Sequence, residues 1–190
     1  MKQAVNPSAP VSFEATPNPA TLKFLLFRPV ASDPFDCPTP MEAERSPLAS
    51  KIFGFPWTAS VYVGTDFITV TKHDWVDWSV LAQPLAGLIQ EHLDNGEPLV
   101  VDAPARGSNE ASPDDSPVVR QIKDILNREI RPVVALDGGD ITFAKYENHV
   151  VFLHMKGACS GCPSSSATLK DGIEVRLKEA IPEIIEVVSV

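Results

Sequence analysis

The sequence predicts an α+β fold of two small α/β-sandwich-like domains, in each of which helices cover one face of a small sheet. Three observations support this prediction. The chain of 190 residues is long enough for two domains of about 100 residues each. A segment rich in proline, glycine, serine and acidic residues interrupts the apolar pattern near the middle of the chain. On each side of it the pattern has the same order of helix, hairpin and helix.

The interrupting segment gives the domain boundaries. Within residues 99–118, polar residues, proline and glycine replace almost all apolar side chains, so this stretch cannot bury a core and is predicted to be a flexible linker. Ser116 and Pro117 suit the N-cap and first position of the helix that follows. We therefore expect a disordered tail at 1–12, a first domain at 13–103, the linker at 104–116 and a second domain at 117–190.

The first domain is predicted to contain a strand, a short helix and a hairpin. Residues 22–27 form a short apolar run typical of a buried strand, and a proline-interrupted loop follows it. Ser46 and Pro47 are expected to open a short helix that ends before Gly54. Residues 59–72 alternate apolar and polar side chains around Gly64, Thr65 and Asp66, which predicts a hairpin.

A longer helix completes the first domain. Its apolar residues recur at helical spacing, namely Leu81, Leu85, Leu88, Ile89 and Leu93. Asp77 or Ser79 is the expected cap, and Asn95 with Gly96 is the expected stop. Pro84 conflicts with this helix unless the helix begins late or bends there.

The second domain repeats this order. A helix from Ser116 is expected to end before Pro132, and the glycines of the LDGGD segment at 136–140 predict a turn. Residues 141–157 predict a hairpin that turns at Glu147 and Asn148. A helix that begins at Pro163 and is stopped by Pro182 follows, and then a final strand at 184–190.

Composition and charge exclude several function classes. The apolar fraction of 44% and charged fraction of 22% are those of a soluble globular protein. The net charge of −9 disfavours nucleic acid as a partner because phosphates are repelled. No apolar run approaches the roughly 18 residues of a membrane span, and the first sixteen residues lack a signal core. The sequence therefore predicts a cytosolic protein without membrane contact.

The three cysteines, Cys37, Cys159 and Cys162, are the strongest chemical signal. They are too few for a secreted disulfide framework. Cys37 lies in a proline-rich stretch and is predicted to be a loop thiol without a partner. Cys159 and Cys162 form a CxxC motif, which in a reducing compartment is more often a metal or redox site than a structural bridge.

The predicted elements place the CxxC motif between a strand end and a helix start. Gly161 permits a tight backbone there, and Pro163 fits the first helical turn. Because a helix N-terminus stabilises thiolates, both sulfurs are expected to have lowered pKa values. Thiolate is the form that binds metal and also the form that attacks disulfides, so this geometry leaves both functions open.

The number of ligands favours a site shared between chains. Tetrahedral zinc sites and iron–sulfur clusters usually take four protein ligands, whereas one chain offers two cysteines here. His154, on the strand leading to Cys159, is the one plausible additional ligand, although an ordinary strand histidine is the simpler interpretation. If metal binds, the economical arrangement is two chains meeting about a two-fold axis, each contributing Cys159 and Cys162.

Several long motifs resemble a known family. The segments IRPVVALDGGD, MKGACSGCPSSSATLKDGIE and IPEIIEVVSV resemble the C-terminal domain of the NifU-like (Nfu-type) iron–sulfur scaffold proteins. The segments TPNPATLKFLL, SPLASKIFGF and GTDFITVTK resemble the Nfu N-terminal domain. Together they cover about 160 to 170 of the 190 residues in the order of the family.

The resemblance implies a scaffold or carrier rather than an enzyme. It implies a 4Fe–4S cluster, or a 2Fe–2S cluster at an earlier stage, held between two protomers by Cys159 and Cys162. An upstream assembly scaffold would be the donor and apo iron–sulfur proteins the acceptors. We expect a homodimer when the cluster is bound and a monomer without it. The resemblance gives Cys37 no role, and the lack of a recognisable targeting segment favours a bacterial cytoplasmic member.

Two other functions fit a CxxC motif. A thiol–disulfide oxidoreductase also uses a low-pKa pair at a helix start. The sequence argues against it because a hairpin precedes the motif and the helix leads to the last strand, unlike the βαβ context of a thioredoxin-like site. A structural zinc site would have two ligands per chain and would therefore depend on a dimer.

Overall fold

The computed structural model describes residues 10–31, 34–101, 109, 112–160 and 163–190. The chain divides into two compact units, Met1–Pro104 and Ala105–Val190. Each unit combines helices with a sheet, so the predicted α+β class is confirmed. Residues 1–9 of the predicted tail and residues 104–108, 110 and 111 of the predicted linker lie outside the described residues. The boundaries of the four predicted segments stay predictions.

The first unit is built on a five-stranded antiparallel sheet with the order β1-β2-β5-β4-β3. Its strands are β1 (Ser12–Ala15), β2 (Thr21–Leu25), β3 (Phe35–Cys37), β4 (Thr58–Val63) and β5 (Phe67–Lys72). Its helices are α1 (Pro40–Ala43), α2 (Pro47–Phe53) and α3 (Trp78–Asp94). The core between them includes the fully buried side chains of Phe24, Leu48, Ile52, Ile68 and Ile89.

Local signals predicted the middle of this unit correctly. Ser46 caps α2 by accepting the Ala49 N–H, Pro47 takes the first helical position, and Gly54 follows the last residue. Asp77 caps α3 by accepting the Ser79 N–H at 2.7 Å. Pro84 lies inside α3, which begins well before it. The carbonyl of Val80 loses an intrahelical donor there, and Val80 is exposed, so water can satisfy it.

The predicted loop after the first strand is wrong in part, because it contains β3 and α1. Cys37 is therefore a strand residue, and its side chain is fully buried in the core of the first unit. Pro34 and Pro38 flank β3. The sheet tolerates them because β3 is an edge strand, which forms ladder hydrogen bonds with a neighbour on one side alone. Such a short segment shows no alternation that a sequence pattern could reveal.

The second unit contains a three-stranded sheet with the order β6-β7-β8. Its strands are β6 (Gly139–Glu147), β7 (Val150–Gly157) and β8 (Glu186–Ser189). Its helices are α4 (Pro117–Ile125), a π-helical turn (Leu126–Ile130), α5 (Arg131–Leu136) and α6 (Pro163–Ala180). The fully buried residues include Ile122, Leu126, Ile141, Leu153 and Leu177.

The sequence predicted that the first helical segment of this unit ends before Pro132. The segment instead continues to Leu136. The π-helical turn explains the difference, since its last hydrogen bond runs from the Arg131 N–H to the Leu126 carbonyl. A wider turn relieves the clash that a proline ring makes with a regular α-helical carbonyl. Pro132 then occupies the first turn of α5, where an N–H is not required.

The β6–β7 hairpin is confirmed, and its tip is Asn148 and His149, one residue later than predicted. Both residues have positive φ, 52° and 64°, as in the two-residue type I′ turn. The last strand, β8, pairs with β7 in parallel. The segment β7–α6–β8 is therefore a βαβ unit with the CxxC motif between its strand and its helix, and the argument that such a context is missing was wrong.

Candidate metal centre

The loop that carries the first cysteine is fastened to the turn before β6. Strand β7 ends at Gly157, which has a φ of 61°. The Ala158 N–H then donates to the Gly138 carbonyl at 3.1 Å, and the Ser160 N–H donates to the Gly157 carbonyl at 3.0 Å. Gly138 has a φ of 80°, which an L side chain rarely adopts. The LDGGD turn and the cysteine loop therefore form one small structure.

The sulfur of Cys159 lies directly over Gly139. A methyl group at Gly139 would overlap the Cys159 Sγ, and it would lie 2.9 Å from the Lys156 carbonyl oxygen. Gly139 has no positive φ, so backbone freedom is not the reason for glycine at this position. The sequence pattern predicts a turn role for both glycines, whereas Gly139 makes room for the thiol. One signal in the sequence could have indicated this role of Gly139: the turn contains two glycines, although a single residue with positive φ, Gly138, is enough to form it.

Cys159 is 6% exposed and belongs to the apolar core of its unit, which also includes Ile141 and Leu153. Burial raises the pKa of the Cys159 thiol to about 12, and the negative charges of Asp137 and Asp140 act in the same direction. The expectation of a lowered pKa is therefore wrong for Cys159. A helix N-terminus stabilises a thiolate that faces it, whereas this sulfur is buried in the core.

Cys162, with Gly161, lies outside the described residues, so its pairing with Cys159 stays a prediction. Helix α6 begins at Pro163, as the sequence predicted.

An ion pair between a half-buried arginine and a buried carboxylate lies beside the cysteine loop. Arg131 donates two hydrogen bonds to the carboxylate of Asp140, Nε to Oδ1 at 2.7 Å and Nη2 to Oδ2 at 2.9 Å. The Asp140 side chain is 7% exposed, and the Arg131 side chain is 31% exposed. Arg131 also donates to the Asn127 Oδ1 at 3.2 Å. Because Arg131 directly follows the π-helical turn, that turn sets its direction toward β6.

Replacing Arg131 with methionine is expected to lower the free energy of unfolding by about 2–4 kcal/mol, because it leaves the buried Asp140 carboxylate without its cation. Urea unfolding followed by circular dichroism measures this change. The matched control is Arg176→Met, which removes an ion pair to Glu129 whose side chains are 45% and 44% exposed. The control should lose much less stability, because water screens an exposed ion pair. Equal losses in the two variants would contradict a special role for the buried pair.

The arrangement limits what the Cys159 thiol can do. With a pKa near 12, little thiolate exists at neutral pH, so this conformation is a poor nucleophile for disulfide exchange. A metal ion can displace the proton of a thiol that it reaches, so a raised pKa alone does not prevent metal binding. Burial keeps both a metal ion and a disulfide from the Cys159 sulfur in this conformation, so either function requires the loop to open.

Two family models match the chain in succession. Residues 11–96 match the model described as the scaffold protein Nfu/NifU N terminal, and residues 122–188 match the NifU-like domain. The human NFU1 iron-sulfur cluster scaffold homolog, a mitochondrial protein, is 41% identical over 176 residues, which cover 92% of this chain and 69% of that relative. The chain belongs to the Nfu family of NifU-like proteins.

Another relative matches this Nfu-family chain over the same share of the chain's length. NifU-like protein 4 of Arabidopsis thaliana, also mitochondrial, is 40% identical over 179 residues, which cover 92% of this chain and 63% of that protein. The chain thus spans less than two thirds of the length of that relative. The NMR structure of a NifU-like protein from Saccharomyces cerevisiae is 25% identical, with a TM-score of 0.44, and the match covers 53% of this chain and 91% of that one. The bacterial cytoplasmic location stays a prediction, since these curated relatives are named as mitochondrial.

The structure also describes the surroundings of three histidines and of Cys37 in this Nfu-family chain. His154 is an exposed residue of β7 whose Nδ1 lies 3.2 Å from the Val190 carbonyl oxygen. His149 is at the hairpin tip, and His92 is buried in the first unit with its Nδ1 3.2 Å from the Lys51 Nζ. Burial also raises the pKa of Cys37 to about 12. Within the described ranges, no group of three or more histidine, cysteine or acidic side chains could hold a metal. None of the helices in those ranges is long and apolar enough to cross a membrane.

Proposed function

We propose that this Nfu-family chain is an iron–sulfur cluster scaffold and carrier, not a catalyst, and that Cys159 and Cys162 hold the cluster. The observation that carries the proposal is the match of residues 122–188 to the NifU-like domain, because it spans the CxxC motif between β7 and α6. Human NFU1, which is 41% identical, is named as an iron-sulfur cluster scaffold homolog. The cluster is cargo, received from an upstream assembly scaffold and delivered to apo iron–sulfur proteins.

The number of ligands requires a second copy of the chain. A 4Fe–4S or 2Fe–2S cluster usually takes four protein ligands. Each chain supplies two of them, and Cys37 is buried in the core of the other unit. Two chains that meet at their cysteine loops complete the set. The 4Fe–4S form is the proposed cargo, with 2Fe–2S as an earlier stage, and the chain without cluster is proposed to be a monomer.

Loading requires a local change in the cysteine loop. In the described conformation the Cys159 sulfur is covered, so it cannot bond to iron that is shared with another chain. Residues 158–160 must therefore lift away from Gly139. The segment spans three residues, and its hydrogen bonds to the Gly138 and Gly157 carbonyls are local, so the opening involves a small part of the unit.

The alternative function is thiol–disulfide exchange by the same cysteine pair. The βαβ arrangement around the motif favours it, since redox CxxC pairs occur in that context. The raised pKa of Cys159 opposes it, because exchange begins with a thiolate, and the match to the NifU-like domain favours the scaffold. We therefore place the scaffold function first.

Anaerobic reconstitution with iron and sulfide separates these functions. The scaffold proposal predicts broad absorbance from thiolate-to-iron charge transfer and about four irons per two chains. It also predicts no reduction of insulin disulfides above the rate of free dithiothreitol. Colourless protein that carries stoichiometric zinc, or rapid insulin reduction, would contradict it.

A further inference from the structure

An apolar patch covers the outer face of α5. Pro132, Val133 and Leu136 lie on this face, and we name them the α5 patch. Val133 is 58% exposed and Leu136 is 72% exposed, whereas Val134, on the opposite side of the helix, is 1% exposed and packs into the core. A short helix that points two large apolar side chains to solvent carries a surface suited to a partner.

The α5 patch adjoins the cysteine loop. Helix α5 ends at Leu136, and the next residues, Asp137 and Gly138, form the turn whose Gly138 carbonyl accepts the Ala158 N–H. Gly139 then lies beneath the Cys159 sulfur. Leu136 is therefore two residues from the backbone that is bonded to the cysteine loop, and Val133 is one helical turn further on the same face.

We propose that the α5 patch is the surface on which a second copy of this chain packs when the two share a cluster. This inference rests on the proposed function. A shared cluster puts both cysteine loops beside one two-fold axis. At such an axis, a surface next to the loop of one copy meets the same surface of the other copy, so the patch meets its own counterpart.

Charge supports a second copy as the occupant. Each chain has a net charge of −9, so two copies repel each other at long range. An uncharged apolar face is compatible with self-association, because Val133 and Leu136 gain by burial against their own counterparts. An acidic or basic face would meet its own charge across the axis and be repelled.

The size of the patch explains why this contact depends on the cluster. Stable interfaces bury about 1,200–2,000 Å² in total. Three side chains on each copy supply a small part of that area, so the patch alone does not hold a dimer. It adds to the iron–sulfur bonds once the cluster is present.

The test compares Val133→Asp with Val175→Asp in the full-length chain. Val175 is the matched control, since it is also 58% exposed and lies on a helix of the same unit, α6. After anaerobic reconstitution, Val133→Asp should raise the dissociation constant of the loaded dimer at least about tenfold, because two carboxylates then face each other across the axis. Chelators should remove its iron faster in the same proportion. Val175→Asp and Val133→Leu should match the wild type.

Urea unfolding of the apo forms checks that Val133→Asp and Val175→Asp are equally stable, as substitutions at exposed sites should be. If the wild type takes up a cluster but the two aspartate variants have equal dimer affinities and lose iron at equal rates, this inference alone is overturned. A Val133→Asp dimer of normal affinity that delivers its cluster slowly to an apo-ferredoxin would also overturn it, since the patch would then bind acceptors. A wild type that takes up no cluster would overturn the proposed function and this inference together.

Discussion

Replacing Cys159 with alanine is expected to abolish cluster uptake. The cluster would lose one of two ligands from each chain, and thus two of the four in a dimer, and no other described cysteine lies in the same unit. Iron bound after anaerobic reconstitution should fall from about four per two chains to near zero, and the charge-transfer absorbance should disappear. Iron analysis and visible spectroscopy measure both.

Cys37→Ala is the matched control for this prediction. Cys37 is also buried, and its pKa is also raised to about 12, yet it belongs to the core of the first unit. Removing its sulfur leaves a small cavity and should lower stability by about 1 kcal/mol, with iron content unchanged. Full cluster uptake by Cys159→Ala, or its loss in Cys37→Ala, would contradict the assignment of the ligand.

Replacing Gly139 with alanine is expected to disturb the cysteine loop severely, although a single methyl group is added. That methyl group would overlap the Cys159 Sγ and approach the Cys159 N to 3.1 Å, so either the sulfur or the backbone must shift. Overpacking of this kind typically lowers the free energy of unfolding by about 1–3 kcal/mol. Urea unfolding of the apo-protein measures the loss.

Gly172→Ala in α6 provides the control, because nothing lies within 4 Å of a Cβ added there. It should raise stability by up to about 1 kcal/mol through helix propensity. A double-mutant cycle with Cys159→Ala isolates the role of the sulfur. Gly139→Ala should lower the free energy of unfolding by less in the Cys159→Ala background, where the Sγ is absent. The loss that remains there should come from the backbone contacts. Equal costs in both backgrounds would show that Gly139 does not accommodate the thiol.

Features set by neighbouring residues could be predicted from the sequence. Ser46 and Ser116 cap their helices where the pattern placed them, since a hydroxyl followed by proline is a local signal. The β4–β5 and β6–β7 hairpins also follow from alternation around turn residues. The α+β class, which depends on these elements, was therefore predictable.

Features set by distant contacts were not predictable. The edge strands β1 and β3 are too short to show a period, and they are fixed by pairing with β2 and β4. The parallel return of β8 beside β7 depends on how α6 packs, which no local pattern encodes. Pro132 correctly indicated an irregular helix, but the helix accommodates the proline with a π-helical turn and does not end there.

The candidate site also has features that the sequence predicts and features that depend on distant contacts. The CxxC motif and its place before α6 could be read from the sequence. The burial of the Cys159 sulfur over Gly139, and the Arg131–Asp140 pair beside it, depend on residues brought together by β6 packing against the cysteine loop. Because burial, and after it the charges of Asp137 and Asp140, raise the pKa of Cys159, the expected low-pKa thiol was the wrong inference from a correctly located motif.

The most direct test of the shared-cluster account is native mass spectrometry of the reconstituted wild-type chain under anaerobic conditions. The account predicts that every cluster-bearing ion contains two chains and one cluster, of four irons at full loading, and that the apo-protein in the same sample is a single chain. A single chain that carries a complete cluster would contradict it.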